Sequence, residues 1–174
     1  MKKIISCMGL ALLTLAACDN SPKFGIEGTI TGAEDKVLYL ENVGLETIAA
    51  LDSAKLDKNG SFSLKGNAPS NPEFYRLRIE DRIINFTVDS TETVKVTATL
   101  PTMPTGYEIQ GSESNQKIKE LAVKQINLEQ AIIKLGNSKM AIGDAQDSIQ
   151  HMLDAYKQDV MRNYIFKAPN DPSS

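Results

Sequence analysis

Few side chains in this sequence are of the types that form or break covalent bonds. The 174 residues include two cysteines, Cys7 and Cys18, and one histidine, His151. Disulfide chemistry needs two thiols, and a histidine that binds a metal needs further ligands at a suitable spacing. His151 has no second histidine or cysteine near it in the sequence. We therefore predict no metal site and no cofactor.

Carboxylates are the remaining candidates for acid–base catalysis. Asp52, Asp81 and Asp89 lie at the ends of predicted strands, where aspartate usually caps a turn. Two of them could form an acid–base pair, but nothing in their spacing selects one. The sequence has no glycine-rich loop before a helix and no Gly-x-Ser-x-Gly motif around Ser53. We predict no catalytic residue and rank an enzyme that uses acidic residues alone last.

Cys18 follows an apolar segment at the start of the chain. Lys2 and Lys3 precede the uncharged residues 4–17, whose 14 residues are fewer than the about 20 that span a membrane. A positive start, a short apolar stretch and small residues at its end are typical of a secretory signal peptide. Residues 1–17 are therefore predicted to be a signal peptide, and residues 18–23 a tether.

The four residues that end this segment, Leu15-Ala16-Ala17-Cys18, resemble the bacterial lipobox. The resemblance implies that Leu15, Ala16 and Ala17 guide the peptidase, that Cys18 receives a diacylglyceryl group, and that the new amine is acylated, for example with palmitate. Several acyl chains anchor stably, at about 0.8 kcal/mol per buried methylene. We predict a lipid-anchored protein of the cell envelope that faces the periplasm, with the choice of membrane open. An ordinary signal peptide with an incidental Cys18 is the alternative.

Removal of residues 1–17 changes the net charge and the cysteine content of the chain. It takes away Lys2, Lys3 and Cys7, which leaves 17 basic against 22 acidic residues and a net charge of −5. A negative chain is a poor partner for nucleic acid or for a polybasic membrane contact. With Cys18 consumed as a thioether, the mature chain would have neither a free thiol nor a disulfide.

Residues 24–111 alternate between apolar and polar positions, as in Ile84, Phe86 and Val88. This period of two favours half-buried antiparallel strands. Asn59-Gly60 is the clearest hairpin signal, because both residues tolerate the positive φ of a tight turn. The prediction is a mainly β fold, an antiparallel sandwich or small barrel over residues 24–111.

Residues 112–168 show helical periodicity and are predicted to form a two-helix hairpin, followed by a tail at 169–174. Ser112 and Asp144 are the predicted caps of the two helices. Met152, Tyr156 and Tyr164 share one face of the second helix. Core packing is the simplest role for that face.

Several short motifs resemble one known family: Phe-x-Ile-x-Gly-Thr-Ile-Thr-Gly at 24–32, Gly-Ser-Phe-Ser-Leu-Lys-Gly at 60–66, and Tyr-Glu-Ile-Gln-Gly-Ser at 107–112. Together with the lipobox, they resemble the uncharacterised β-rich N-terminal domain of envelope thiol–disulfide oxidoreductase lipoproteins of the TlpA-like kind, over about residues 20–168. In those proteins a thioredoxin-like domain with a Cys-x-x-Cys pair follows. This chain contains no such pair, so no active-site residue carries over.

The resemblance implies a non-catalytic accessory module that orients or dimerises a redox domain or a partner at the membrane. Its expected partners are the membrane, a thioredoxin-like domain and a second copy of the chain. If a redox domain is the partner, Met152, Tyr156 and Tyr164 should form part of an exposed apolar contact surface. The alternative is a free-standing envelope lipoprotein that binds a small ligand or a protein.

Replacing Cys18 with Ala should abolish membrane anchoring, because the thiol is the atom that accepts the lipid. We expect Cys18→Ala to be recovered as a soluble or unprocessed protein when cells are fractionated, and Cys7→Ala to behave as the wild type. Recovery of Cys18→Ala with the membranes at the normal mature mass would show that Cys18 is not the anchor.

Overall fold

The computed structural model describes residues 21–139 and 141–165, which form eight strands and two helices. The strands are β1 (Lys23–Thr31), β2 (Val37–Val43), β3 (Ile48–Lys55), β4 (Ser61–Asn67), β5 (Glu73–Ile79), β6 (Arg82–Val88), β7 (Thr93–Thr99) and β8 (Glu108–Gln110). A short 3-10 turn follows β7 at Leu100–Thr102; the helices are α1 (Glu113–Gly136) and α2 (Ile142–Val160), which continues as a π-helical turn, Met161–Ile165. The predicted fold class, mainly β with a C-terminal helical hairpin, is confirmed.

The strands form two four-stranded sheets. Sheet A has the order β4-β1-β7-β8 and sheet B the order β3-β2-β5-β6. All neighbours are antiparallel except β1 and β7, which run parallel with Gly25–Thr31 beside Thr93–Thr99. Alternation shows which face of a strand is buried, but it does not show the direction of the neighbouring strand, so this parallel pair was not predicted.

The core lies between the two sheets. Ile26, Ile30 and Val94 of sheet A are buried against Leu40 and Leu77 of sheet B. Aromatic rings also cross the interface, since the ring centroids of Phe24 and Tyr75 lie 4.7 Å apart. These side chains come from alternate positions of their strands, as a sandwich requires.

Asn59-Gly60 does form a turn, but the predicted hairpin is wrong. β3 pairs with β2 and β4 pairs with β1, so the turn carries the chain from sheet B to sheet A. Only Gly60 has a positive φ, of 68°. A Cβ atom on residue 60 would collide with the carbonyl of Ile30. The N–H of Ile30 donates a hydrogen bond to the Gly60 carbonyl at 2.9 Å. Glycine is needed because two backbones meet at this corner.

The start of α1 is fixed to both sheets. Ser112 caps the helix as predicted, accepting a hydrogen bond from the N–H of Asn115 at 3.3 Å. The side chain of Asn115 is fully buried; its oxygen accepts from the Thr87 N–H at 2.7 Å and its nitrogen donates to the Thr87 carbonyl at 3.1 Å. Gln116 donates to the carbonyl of Ile109 in β8. One helical turn thus connects the edge strands of the two sheets.

Helix α2 packs beside α1. It begins at Ile142, with Ala141 as its N-cap, so the prediction that Asp144 caps it is wrong; Asp144 lies in the first turn instead. Lys124 of α1 pairs with Asp159 of α2 at 2.6 Å. No residue of α2 is fully buried. Within the described ranges, neither helix is long and apolar enough to cross a membrane.

Replacing Asn115 with Ala should destabilise the fold, because it leaves a backbone donor and a backbone acceptor of β6 buried without partners. We expect a loss of about 2–4 kcal/mol in the free energy of unfolding, measured by urea denaturation. Gln125→Ala is the matched control on the same helix, since its side chain is exposed and bonds only Glu129. Equal stabilities of the two variants would show that the Asn115 amide does not hold β6.

Candidate functional site

The outer face of sheet B, which points away from the core, carries the most distinctive side chains. In β5, Tyr75, Leu77 and Ile79 point into the core, while the intervening Phe74, Arg76 and Arg78 lie on the outer face. Strand register then aligns Arg76 with Glu41, and Arg78 with Tyr39. The outer face is therefore built from an ionic part and an apolar part.

The ionic part is a cluster of one carboxylate and two guanidinium groups. Glu41 is only 5% exposed although it lies on the outer face, because the two arginines cover it. Arg76 Nε lies 2.5 Å from one carboxylate oxygen, and Arg78 binds the other through Nη2 at 2.7 Å and Nε at 2.9 Å. The hydrogen bond from Arg78, with a smaller contribution from Arg76, lowers the pKa of Glu41 despite its burial. The Arg78 guanidinium also lies 4.6 Å from the Tyr39 ring centroid.

The apolar part is a groove between sheet B and α1. We call it the Phe74 groove and define it by Phe74, Val43, Ile118, Leu121 and Tyr164. The Phe74 side chain is 57% exposed, which is unusual for a large aromatic residue on a folded sheet. It separates two open compartments of about 340 and 390 Å³. Compartments of this size with an apolar floor fit a small ligand or the anchoring side chains of a protein partner.

Polar residues border one end of this groove. Ser112, Ser114 and Lys117 come from the first turns of α1, and Asp89 and Glu92 from the loop that follows β6. Both acidic residues lie near the N-terminal end of the helix, where negative charge is favourable. The groove thus combines an apolar centre with a mixed-charge rim.

The acidic candidates from the sequence occupy separate structural positions. Asp52 accepts from the N–H of Lys65 at 2.9 Å at the corner between the sheets. Asp81 pairs with Arg82 at 3.1 Å in the β5–β6 turn, and Asp89 borders the groove. His151 is exposed on α2. Across residues 21–139 and 141–165, no three His, Cys, Asp or Glu side chains come together as a metal site.

Two buried tyrosines are held in their neutral form. Burial raises the pKa of Tyr107 to about 12, and burial together with the nearby Glu73 carboxylate does the same for Tyr75. The Tyr107 hydroxyl has no hydrogen-bond partner in the described part of the chain, although the Lys119 ammonium lies 5.5 Å from its ring centroid. Neither hydroxyl is suited to proton transfer at neutral pH.

The residues predicted to contact a partner have different surroundings. Met152 and Tyr156 are half-buried on α2. Tyr164 lines the Phe74 groove and contacts Glu120 through its hydroxyl at 3.1 Å. Leu15, Ala16, Ala17 and Cys18 lie outside the described residues.

Sequence reasoning did not single out Phe74, Ile118 or Leu121 as a site. A signal was present in residues 73–81, Glu-Phe-Tyr-Arg-Leu-Arg-Ile-Glu-Asp, because alternation places Phe74 on the polar face of its strand. An aromatic residue on a polar face is a candidate contact residue.

The fold is that of a two-sheet β protein with a helical C-terminal region, and its prominent surface feature is a groove. The chain belongs to the family described as "Domain of unknown function (DUF4369)", which matches residues 24–118. This match confirms the expected β-rich domain of unknown function; it shows no link to TlpA-like or thioredoxin-like proteins. No enzyme family was found.

Comparison with individual proteins adds little. No curated protein matches the chain. Among solved structures, the crystal structure of (S)-allantoin synthase has a TM-score of 0.36 and 12% sequence identity, over 53% of this chain and 45% of the other. The chain thus spans less than half of that protein, and this similarity carries no statement about activity.

The Glu41 cluster predicts a specific dependence of stability on pH. Because the folded-state pKa of Glu41 is lowered from 4.5, its contribution is present above pH 4.5 and is lost as the pH falls through the folded-state pKa. At pH 7, the free energy of unfolding of Glu41→Gln should be about 1–3 kcal/mol lower than that of the wild type. Urea denaturation should show this difference shrinking as the pH falls from 4.5 through the folded-state pKa of Glu41.

The control for this prediction is Glu80→Gln, which removes an exposed ion pair with Lys36. Exposed pairs contribute little, so this variant should stay within about 0.5 kcal/mol of the wild type at pH 7. A Glu41→Gln difference that does not change with pH would contradict a role for the ionised carboxylate.

Proposed function

We propose that the protein is a lipid-anchored module of the cell envelope that does no chemistry itself and orients a redox domain or protein partner at its Phe74 groove. The observation that carries the proposal is the exposed apolar centre of this groove, where Phe74 lies between apolar side chains of β2 and α1. Partner sites commonly use such an aromatic residue as their anchor. A thioredoxin-like domain is the partner that the sequence resemblance favours.

The path of the chain supports this choice of surface. Tyr164 lines the groove, and Ile165, the next residue, is the last one that the structure describes. The C-terminal end of the described chain therefore lies at the groove. A domain linked there would have a short path to the groove, which raises its effective concentration at this surface.

The lipobox supports placement at the membrane. Four residues, 19–22, lie between the proposed lipidated Cys18 and β1, which begins at Lys23. The five Cα-to-Cα steps from Cys18 to Lys23 extend over at most about 18 Å. The sandwich would thus be held close to the membrane surface, together with whatever occupies its groove.

A free-standing binding lipoprotein is the second candidate, and the polar rim of the groove favours it. Ser114 and Lys117 lie beside the apolar side chains of Ile118 and Leu121. A few polar groups around an apolar floor is the usual composition of a small-molecule site. The two candidates use the same surface and differ in the size of what it holds.

Photo-cross-linking in intact cells tests the proposal. A photoreactive amino acid at position 74 should cross-link to a polypeptide that carries a Cys-x-x-Cys thioredoxin-like domain, whether separate or part of the same native chain. The same amino acid at position 142, on exposed Ile142 at the start of α2, is the control and should not. Mass spectrometry of the cross-linked product identifies the partner.

Phe74→Asp should reduce partner binding at least about tenfold, because it removes the apolar anchor and adds a charge. Ile142→Asp should leave binding unchanged. Equal cross-linking from positions 74 and 142, or no redox partner at position 74, would overturn the proposal. A small molecule released from the wild type and absent from Phe74→Asp would support the second candidate instead.

A further inference from the structure

The two sheets have four edge strands, and three of them are protected against further pairing. β8 is only three residues long. In β6, both backbone groups of Thr87 are bound by the Asn115 side chain. In β4, the Lys65 N–H donates to Asp52 at 2.9 Å. Short length and occupied backbone groups are common ways of blocking an edge.

The fourth edge, the first half of β3, is neither short nor occupied by side chains, although a β-bulge at Leu51 interrupts its register with β2. β3 ends sheet B and pairs only with β2, so one side of Ile48–Leu51 has no neighbouring strand among the described residues. Residues 47–51, Thr-Ile-Ala-Ala-Leu, contain neither charge nor proline. The Ile48 and Leu51 side chains are 50% and 44% exposed, and Leu45 in the preceding turn is fully exposed. An uncharged apolar edge of this kind favours the addition of a strand.

We propose that this edge pairs with the same edge of a second copy, so that two sheets B join into one eight-stranded sheet. The charges at the two ends of β3 favour a second copy as the occupant of this edge, and they favour antiparallel pairing of the two strands. Glu46 precedes the uncharged segment and Lys55 ends the strand. Antiparallel self-pairing around a two-fold axis near Ala50 brings each Glu46 close to the Lys55 of the other copy. Parallel pairing would bring like charges together, which is unfavourable.

The pairing is compatible with the contacts that the chain already makes. Lys55 pairs with Asp35 at 2.7 Å, and this pair is largely exposed, so Lys55 can also approach a second carboxylate. The exposed Ile48 and Leu51 side chains would be covered by the other copy. The interface is isologous, which closes the assembly at two chains.

Cysteine trapping in intact cells tests the inference and uses the full chain. The mature sequence contains no cysteine other than Cys18, the proposed lipid-bearing residue. Ala50→Cys places a thiol next to its own counterpart at the two-fold axis, so mild oxidation should give a disulfide-linked dimer. Ala131→Cys, at an exposed alanine of α1, is the control and should give at least about tenfold less dimer. Equal trapping at both positions, or none at Ala50→Cys, would overturn the pairing.

Charge reversal tests the direction of pairing. The background is Ala50→Cys with Asp35→Asn, which removes the carboxylate that pairs with Lys55 in its own chain. In this background, Glu46→Lys alone and Lys55→Glu alone should each reduce trapping several-fold, because each brings like charges together. The double variant should restore it. Failure of the double variant to recover would rule out antiparallel self-pairing. Since none of these changes touches Phe74, the result is independent of partner binding at the groove.

Discussion

The pair of hydrogen bonds between the Asn115 side chain and the Thr87 backbone sets the geometry on which the rest of the surface depends. Without it, β6 would be an open edge, and α1 would be held against the sheets by the bond from Gln116 to Ile109 and by its half-buried apolar face. The amide supplies one donor and one acceptor, as a neighbouring strand would, and it does so from a helix. Because its side chain is fully buried, these two bonds are not in competition with water. They hold the first turn of α1 against β6, and Ile118 and Leu121 farther along this helix line the Phe74 groove.

The ionic cluster next to the groove affects what the outer face can bind. Two arginines on one carboxylate leave a net charge of about +1, but Glu41 itself is covered and fully hydrogen-bonded. A compensated cluster of this kind presents little unpaired charge to a partner. A partner at the proposed site would therefore be held chiefly by Phe74, Ile118 and Leu121, with a weak preference for an anionic group near the arginines. This order of effects agrees with an aromatic anchor flanked by a polar rim.

The alternation of apolar and polar residues predicts which face of each strand is buried, but it does not predict which strands pair with each other. Alternation correctly placed Ile84, Phe86 and Val88 on one buried face, and Ser112 was correctly predicted as a cap because its hydroxyl precedes a helical pattern. The same alternation cannot distinguish a hairpin from a crossing between sheets, which is why Asn59-Gly60 was misread. The groove also needed the structure, because β2, β5 and α1 contribute to it from distant parts of the chain. The Asn115 contact joins residues 28 positions apart, and no local pattern predicts it.

The position of the free β3 edge relative to the groove decides whether self-pairing and partner binding could coexist. In sheet B, β3 lies at one end, whereas the groove lies over β2, β5 and β6. A two-fold axis through the joined edges must stand perpendicular to the sheet if the strands are antiparallel. Such an axis keeps the outer face of both copies on the same side. A dimer would thus present two Phe74 grooves side by side and facing the same way, with the β3 strands of the two copies between them.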